Sequence, residues 1–212
     1  MKVSLSILTI DYANVEKNLK TLLPNVDYIH MDVMDGVFVP NISFGYTFIK
    51  SLRKLTNIDF DTHLMIEYPQ NYIKQFAEAG SQYITFHVEA KCDVQQTINL
   101  IHQCGCKAGI AIKPNTSVDS ILSFLPEVDM VLVMSVEPGF GGQKFMPSSI
   151  EKVKRLYSLK EKNNYKYLIN IDGGINDNTI LNVKDYIDLA VVGSYICNAA
   201  DPIANAQNIK NN

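Results

Sequence analysis

The sequence has no tryptophan and only four cysteines among 212 residues. Cys92, Cys104, Cys106 and Cys197 form no Cys-x-x-Cys pair and are unevenly spread. That argues against a disulfide framework and for reduced thiols in a cytoplasmic protein. No basic block appears, and 22 acidic residues outnumber 19 basic ones for a net charge of −3, which argues against a nucleic-acid partner. No uncharged stretch reaches the roughly 18 residues a membrane span needs, so no membrane partner is expected. The first residues, MKVSLSILTIDY, hold a short apolar run broken by Asp11 without a small-residue cleavage site, and read as a strand, not a signal peptide. Neither a glycine-rich dinucleotide fingerprint nor a Gly-Lys-Ser/Thr loop is present. What is present is a globular composition, 47% hydrophobic and 19% charged, long enough for a sizeable core.

Short apolar, β-branched runs alternate with longer amphipathic ones. Eight read as strands: Val3–Leu8, Val26–Val33, Ile58–Ile66, Tyr83–Glu89, Lys107–Ile112, Met130–Val136, Tyr167–Asp172 and Leu189–Gly193. Their starts lie about 27 residues apart on average, room for a crossover helix each time. Tyr12–Leu23 carries Val15, Leu19, Leu22 and Leu23 at helical spacing. A third helix opens at Pro69 and stops at Gly80, Cys92–Cys104 stops at Gly105, and Pro147–Lys162 opens on a proline. The polar tail after Asp201 predicts a brief or frayed last helix. Eight β-then-α units predict an α/β fold, a single-domain TIM (β/α)8 barrel over residues 1–212. The alternative is an open doubly wound sheet.

In such a barrel the functional residues sit where strands end. Side chains two apart share a strand face, so His30, Asp32 and Met34 point together, as do His63 and Met65. Strand seven ends Asn170-Ile171-Asp172-Gly173-Gly174. A lone His or Asp at a strand end is more often a satisfied hydrogen-bonding group than a ligand. An ionised carboxylate is costly there unless compensated, however, and two imidazoles and two carboxylates converging from three strands point to a metal site. Its ligands are His30, Asp32, His63 and Asp172, a set that suits Zn²⁺, Fe²⁺, Mn²⁺ or Co²⁺. Glycines follow three consecutive strands: Gly139-Phe140-Gly141-Gly142, Gly173-Gly174 and Gly193-Ser194. Each alone is a tight turn; together they form a phosphate cup, because glycine lets main-chain N–H groups approach an anion. Met34, Met65 and Met134 lie near strand ends, either as core filling or as a soft apolar floor under a flat intermediate.

These parts suit a small sugar phosphate. A divalent cation acting as Lewis acid acidifies the C–H beside a carbonyl, and an aspartate removes that proton to leave an ene-diolate. Asp32 on strand two and Asp172 on strand seven are three strands apart one way round the ring and five the other. They flank the substrate, so one deprotonates one face, the other reprotonates the opposite face, and a stereocentre inverts.

Ser6-Ile-Leu8, His30-Met-Asp-Val-Met-Asp-Gly36, Phe38-Val-Pro-Asn41, Asp61-Thr-His-Leu-Met65, Phe86-His-Val-Glu-Ala90, Met134-Ser-Val-Glu-Pro-Gly-Phe-Gly-Gly-Gln143 and Asp172-Gly-Gly-Ile175 strongly resemble, in this order, the ribulose-phosphate 3-epimerase family. The resemblance covers essentially the whole chain. It implies one divalent metal on His30, Asp32, His63 and Asp172, with Asp32 and Asp172 as the acid/base pair. It implies substrate contacts from Ser6 and His63, and phosphate held chiefly by Gly139–Gly142, Gly173, Gly174, Gly193 and Ser194. The implied reaction interconverts D-ribulose 5-phosphate and D-xylulose 5-phosphate in the pentose phosphate pathway, and the family's habit implies a homo-oligomer.

Thr9-Ile10 stand where the family more often has smaller residues, and Asn182–Asp188 lacks its usual Gly-Ala before strand eight. Lys113 reads as a solvated rim residue or a phosphate contact, and His87, Glu89 and Asp35 as structural or ligand-orienting groups. Three rivals compete. A 3-epimerase of allulose 6-phosphate would use the same chemistry. A related decarboxylase or lyase would have Lys where Met34 stands. A non-catalytic sugar-phosphate sensor would have no need of both aspartates.

Overall fold

In the computed structural model, which describes residues 1–212, eight parallel strands close into a barrel in chain order. They are β1 (Lys2–Ser6), β2 (Tyr28–Met34), β3 (Asp59–Met65), β4 (Tyr83–His87), β5 (Lys107–Ile112), β6 (Met130–Met134), β7 (Leu168–Asp172) and β8 (Leu189–Val192), with β8 pairing back to β1. All eight overlap the strands expected from the sequence, and the open-sheet alternative falls with the β8–β1 ladder. Seven α-helices accompany them: α1 (Val15–Leu22), α2 (Tyr46–Leu52), α3 (Ile73–Glu78), α4 (Val94–Gln103), α5 (Ser148–Asn163), α6 (Ser194–Cys197) and α7 (Pro202–Asn211).

Two features correct the sequence reading. The β5–β6 and β7–β8 connections cross by 3₁₀ turns, Val118–Ile121 and Ile180–Asn182, where α-helices were expected. Short polar side chains there bond to nearby main chain: Ser117 Oγ accepts the Asp119 N–H, and Asn176 Oδ1 accepts those of Asn178 and Thr179. Such local bonds compete with helix propagation. Val118, Ile121 and Ile180 still bury apolar surface against the barrel. The tail, in turn, is no frayed end. Asp201 caps α7 by accepting the Ala204 N–H at 3.0 Å, Pro202 sits in the first turn, and Ala206 and Ile209 are buried. An Asp-Pro start and two apolar anchors outweigh the polar composition.

Alternation along each strand divides the side chains between two environments. Outward residues such as Leu5, Ile29, Phe60, Phe86, Val131 and Ile169 join a 46-residue apolar core under the helices. Inward residues stack in layers. Tyr28, Tyr83, Met130 and Leu189 plug the N-terminal end. Buried His30, Asp61, Thr85 and Asn170 lie above them. The ladder register then sets Asp32 beside His63, Met34 beside Met65, and Met134 beside Asp172 at the C-terminal mouth.

Closure depends on one missing side chain. Gly109 of β5 is in register with Thr85 of β4, and a Cβ on Gly109 would lie 2.2 Å from Thr85 Oγ1 and 2.9 Å from Thr85 Cβ. Gly109→Ala is expected to destabilise the fold by about 1–3 kcal/mol through overpacking, and adding Thr85→Ala to recover part of that loss. Urea unfolding of the single and double variants checks this.

Candidate active site

His30, Asp32, His63 and Asp172 meet at the barrel mouth, each offering a donor atom within 4.8 Å of the other three. Both imidazoles are fully buried and Asp32 is 4% exposed, while the Asp172 side chain, 16% exposed, faces a cavity. Asp32 Oδ1 lies 3.3 Å from His30 Nε2 and 3.3 Å from His63 Nδ1. Asp172 Oδ2 lies 3.7 Å from the same two nitrogens. The Ser6 hydroxyl donates to Asp32 Oδ2 at 2.7 Å.

The two carboxylates differ in their hold on a proton. Burial pushes Asp32 up, but His30 and His63 outweigh it and hold the group below the usual carboxylate range. Burial and the Asp32 charge push Asp172 up to about 6. For His30, burial favours the neutral ring, yet Asp32 and Asp61 raise it well above its ordinary value. Two acids pushed apart in one cavity are the arrangement proton transfer needs. His30 Nε2, fully buried, makes no hydrogen bond although it points into this cluster. An unpartnered imidazole nitrogen beside two carboxylates and a second imidazole fits a divalent cation of the Zn²⁺ type.

Residues outside the expected set hold this geometry. Asp61 Oδ2 lies 2.8 Å from His30 Nδ1 and accepts the Asn170 amide at 3.1 Å. Its signal was available, since Asp61 is two residues before His63 on the same strand face. Ser43 Oγ donates to the Asp32 carbonyl and accepts the Met34 N–H. Ser135 Oγ donates to the Asp172 and Gly173 carbonyls. These two serines act on main-chain atoms from loop positions, which strand periodicity does not reveal. Asp35 does not orient a ligand: its carboxylate accepts the N–H groups of Val37, Phe38 and Glu67, tying two loops together. Lys113 stacks on the Phe38 ring at 3.9 Å and does not line the cavity.

The cavity is lined by Ser6, Asp32, Asp172, Met65, Met134 and all three glycine-bearing segments: Gly139-Phe140-Gly141-Gly142, Gly173-Gly174 and Gly193-Ser194. His30 and His63 lie beneath its surface. Met34 stands outside the lining, packed with Val39 and its register partner Met65. Gly173 and Gly174 adopt φ of +124° and +65°, and a Cβ on Gly174 would lie 2.4 Å from the Phe145 nitrogen. The turn therefore requires glycine. The N–H groups of Gly142, Gly174 and Ser194 donate to no backbone carbonyl.

Comparison with known proteins gives a match to the Ribulose-phosphate 3 epimerase family over residues 2–197. The chain belongs to the ribulose-phosphate 3-epimerase family. It is 42% identical over 207 residues to the ribulose-phosphate 3-epimerase of Aquifex aeolicus, covering 97% of this chain and 93% of the relative. It is 41% identical over 204 residues to that of Bacillus subtilis, covering 95% and 94%. Among solved structures, KGPDC from Streptococcus mutans superposes with a TM-score of 0.75 at 12% identity, covering 99% of this chain and 95% of that one. A 3-hexulose-6-phosphate synthase superposes at 0.68 with 17% identity, covering 100% and 99%. At such identities these two show the shared barrel alone.

Within this epimerase-family chain the departures at Thr9 and Ile10 have a simple structural place. Ile10 is 6% exposed in the main core, and the Thr9 hydroxyl is buried without a hydrogen bond. The buried His30–Asp61–Asn170 group matters more to stability. Asp61→Ala is expected to destabilise the metal-free protein by about 3–5 kcal/mol, because it strands a buried imidazole and amide together. Urea unfolding near neutral pH measures it.

Proposed function

We propose that this chain is a ribulose-phosphate 3-epimerase, interconverting D-ribulose 5-phosphate and D-xylulose 5-phosphate, with residues 1–212 forming one catalytic domain. The observation that carries this reading is the meeting of Asp32 and Asp172, from β2 and β7, over one cavity with Met65 and Met134 in its wall. One carboxylate takes the C3 proton and the other returns a proton to the opposite face; in the reverse direction they exchange roles. Asp32, fixed by the Ser6 hydroxyl, starts as base. Asp172, facing the same cavity from β7, is the acid for the opposite face. The planar ene-diolate between the two transfers lies against the methionine side chains, which exclude water.

His30, Asp32, His63 and Asp172 would hold one divalent cation, Zn²⁺, Fe²⁺, Mn²⁺ or Co²⁺. Such an ion supplies Lewis-acid stabilisation of negative charge on the substrate oxygens. The substrate phosphate is received by the N–H groups of Gly142, Gly174 and Ser194, the last opening α6 directly after β8. A short helix after strand eight is where barrels of this type bind phosphate. Four unpaired cysteines fit a reducing cytoplasm, and no helix is long and apolar enough to cross a membrane. Exposed Val37, Ile42, Tyr46, Tyr68 and Tyr72 surround one groove, a surface suited to covering by a second copy in a homo-oligomer.

Turnover of ribulose 5-phosphate in D₂O is expected to place deuterium at C3 of the product, with kcat/KM higher than for allulose 6-phosphate. Product free of deuterium rules out proton exchange, and the opposite preference assigns the hexose substrate. Asp172→Asn is expected to lower kcat by about 10²–10⁴-fold in a folded barrel. Near-normal kcat in that metal-loaded variant refutes the two-carboxylate scheme.

Metal uptake has a signed pH dependence. A bound cation requires a lone pair on His30, whereas in the metal-free protein Asp32 and Asp61 raise His30 well above its ordinary value. Binding must displace that proton, so affinity is expected to rise with pH until His30 has lost it, by about tenfold per unit. Chelator competition at several pH values, or proton release on adding Zn²⁺ to unbuffered protein, checks the sign.

A further inference from the structure

Each ligand histidine is fully buried and has a second ring nitrogen that needs a partner. For His30 it is Asp61. His63 Nε2 instead lies 2.9 Å from His87 Nε2, and His87 Nδ1 lies 3.1 Å from Glu89 Oε2. Glu89 Oε1 accepts the Lys113 N–H at 2.8 Å and the Thr116 hydroxyl. The loop presenting those donors is clamped by Lys152 Nζ of α5, which donates to the carbonyls of Lys113, Pro114 and Thr116. Both imidazoles are fully buried, and Phe38 covers His87 with ring centroids 4.9 Å apart.

Donor and acceptor counting gives this chain of bonds a single direction. Burial pushes Glu89 up, but the bonds it receives from His87, Thr116 and the Lys113 N–H outweigh that and hold it at about 2. An ionised carboxylate only accepts, so His87 carries its proton on Nδ1. His87 Nε2 then has only a lone pair to offer, and the proton in the His63–His87 contact belongs to His63 Nε2. A neutral His63 ring then has its lone pair on Nδ1, the atom facing Asp32 and Asp172, where a cation would take the place of the Asp32 contact. With the opposite tautomer of His87, its Nδ1 lone pair would face the Glu89 carboxylate, and its Nε2–H would either meet the His63 N–H head-on or leave His63 turning a proton toward the cation site.

We propose that Glu89, acting through His87, fixes the tautomer of His63 so that Nδ1 presents a lone pair to the metal; Glu89 and His87 are positioning residues of the metal site. Both ligand histidines are then backed by a carboxylate, His30 directly by Asp61 and His63 through an intervening imidazole. The proposal rests on the reading of His63 as a ligand.

Co²⁺ added to the metal-free full-length protein is the probe, read by chelator competition and by the visible absorption of the bound ion. Glu89→Met and His87→Leu keep side-chain volume but remove the acceptor, and each is expected to weaken Co²⁺ binding by about 10–100-fold and change the absorption bands. His87→Gln can set its carbonyl where Nε2 stood and accept the His63 N–H, so it is expected to recover most of the affinity. Unchanged affinity and bands in folded Glu89→Met, or a loss in His87→Gln as large as in His87→Leu, overturns the proposal. Should His87→Leu not fold, loss in Glu89→Met with retention in His87→Gln supports it and any other pattern overturns it. Uptake of no Co²⁺ by the unsubstituted protein overturns the metal reading itself, a result distinct from equal binding by protein and variants.

Discussion

A carboxylate on the axis of a parallel barrel is the constraint that organises this molecule. Asp32 is 4% exposed, and an ionised carboxylate so far from water costs several kcal/mol unless neighbours compensate it. The compensation comes from the Ser6 hydroxyl, from His30, and from the cation that the His30 and His63 rings would help to hold. Those rings are themselves polar and buried, so they demand partners in turn. Asp61 and Asn170 answer for His30, and His87 and Glu89 for His63. One buried charge thus propagates polarity across the interior from β2 to β3, β4 and β7. Apolar layers inside the barrel remain at its N-terminal end and around β5, β6 and β8. The larger, 46-residue layer lies between strands and helices, which leaves the β2–β3 side of the mouth available for chemistry.

The barrel was legible because its strands are buried on both faces and read as continuous β-branched runs. The connections were less so. A spacing of seventeen or so residues says that a helix fits, not that one forms, and local side-chain bonds at Ser117 and Asn176 decided for 3₁₀ turns. In the tail, Asp201-Pro202 was a readable start signal obscured by polar composition. The four clustered ligand-type residues were legible because a period of two along a strand fixes which side chains share a face. Asp61 obeys the same rule but sits mid-strand, where a reading weighted to strand ends passes over it. Ser43 and Ser135 reach main-chain atoms from loops, and no periodicity carries that information. Met34 shares a face with Asp32, but register alone does not say that Met65 and Val39 will enclose it.

The mouth has two chemically different sides. Around β2 and β3, together with Asp172 of β7, ionisable side chains cluster beside Met65. The loops after β6, β7 and β8 present mainly glycines and main-chain N–H groups, with Glu137 and Gln143 among them, and no Lys or Arg lines the cavity. Main-chain N–H dipoles hold an anion through short-range directed bonds without a net charge, so the proposed phosphate end would add no full positive charge beside the cation that the His and Asp cluster would hold. The cost is conformational: such close approach of main chain to ligand needs positive φ at Gly173 and Gly174, and Ser135 is placed to hold that turn in shape.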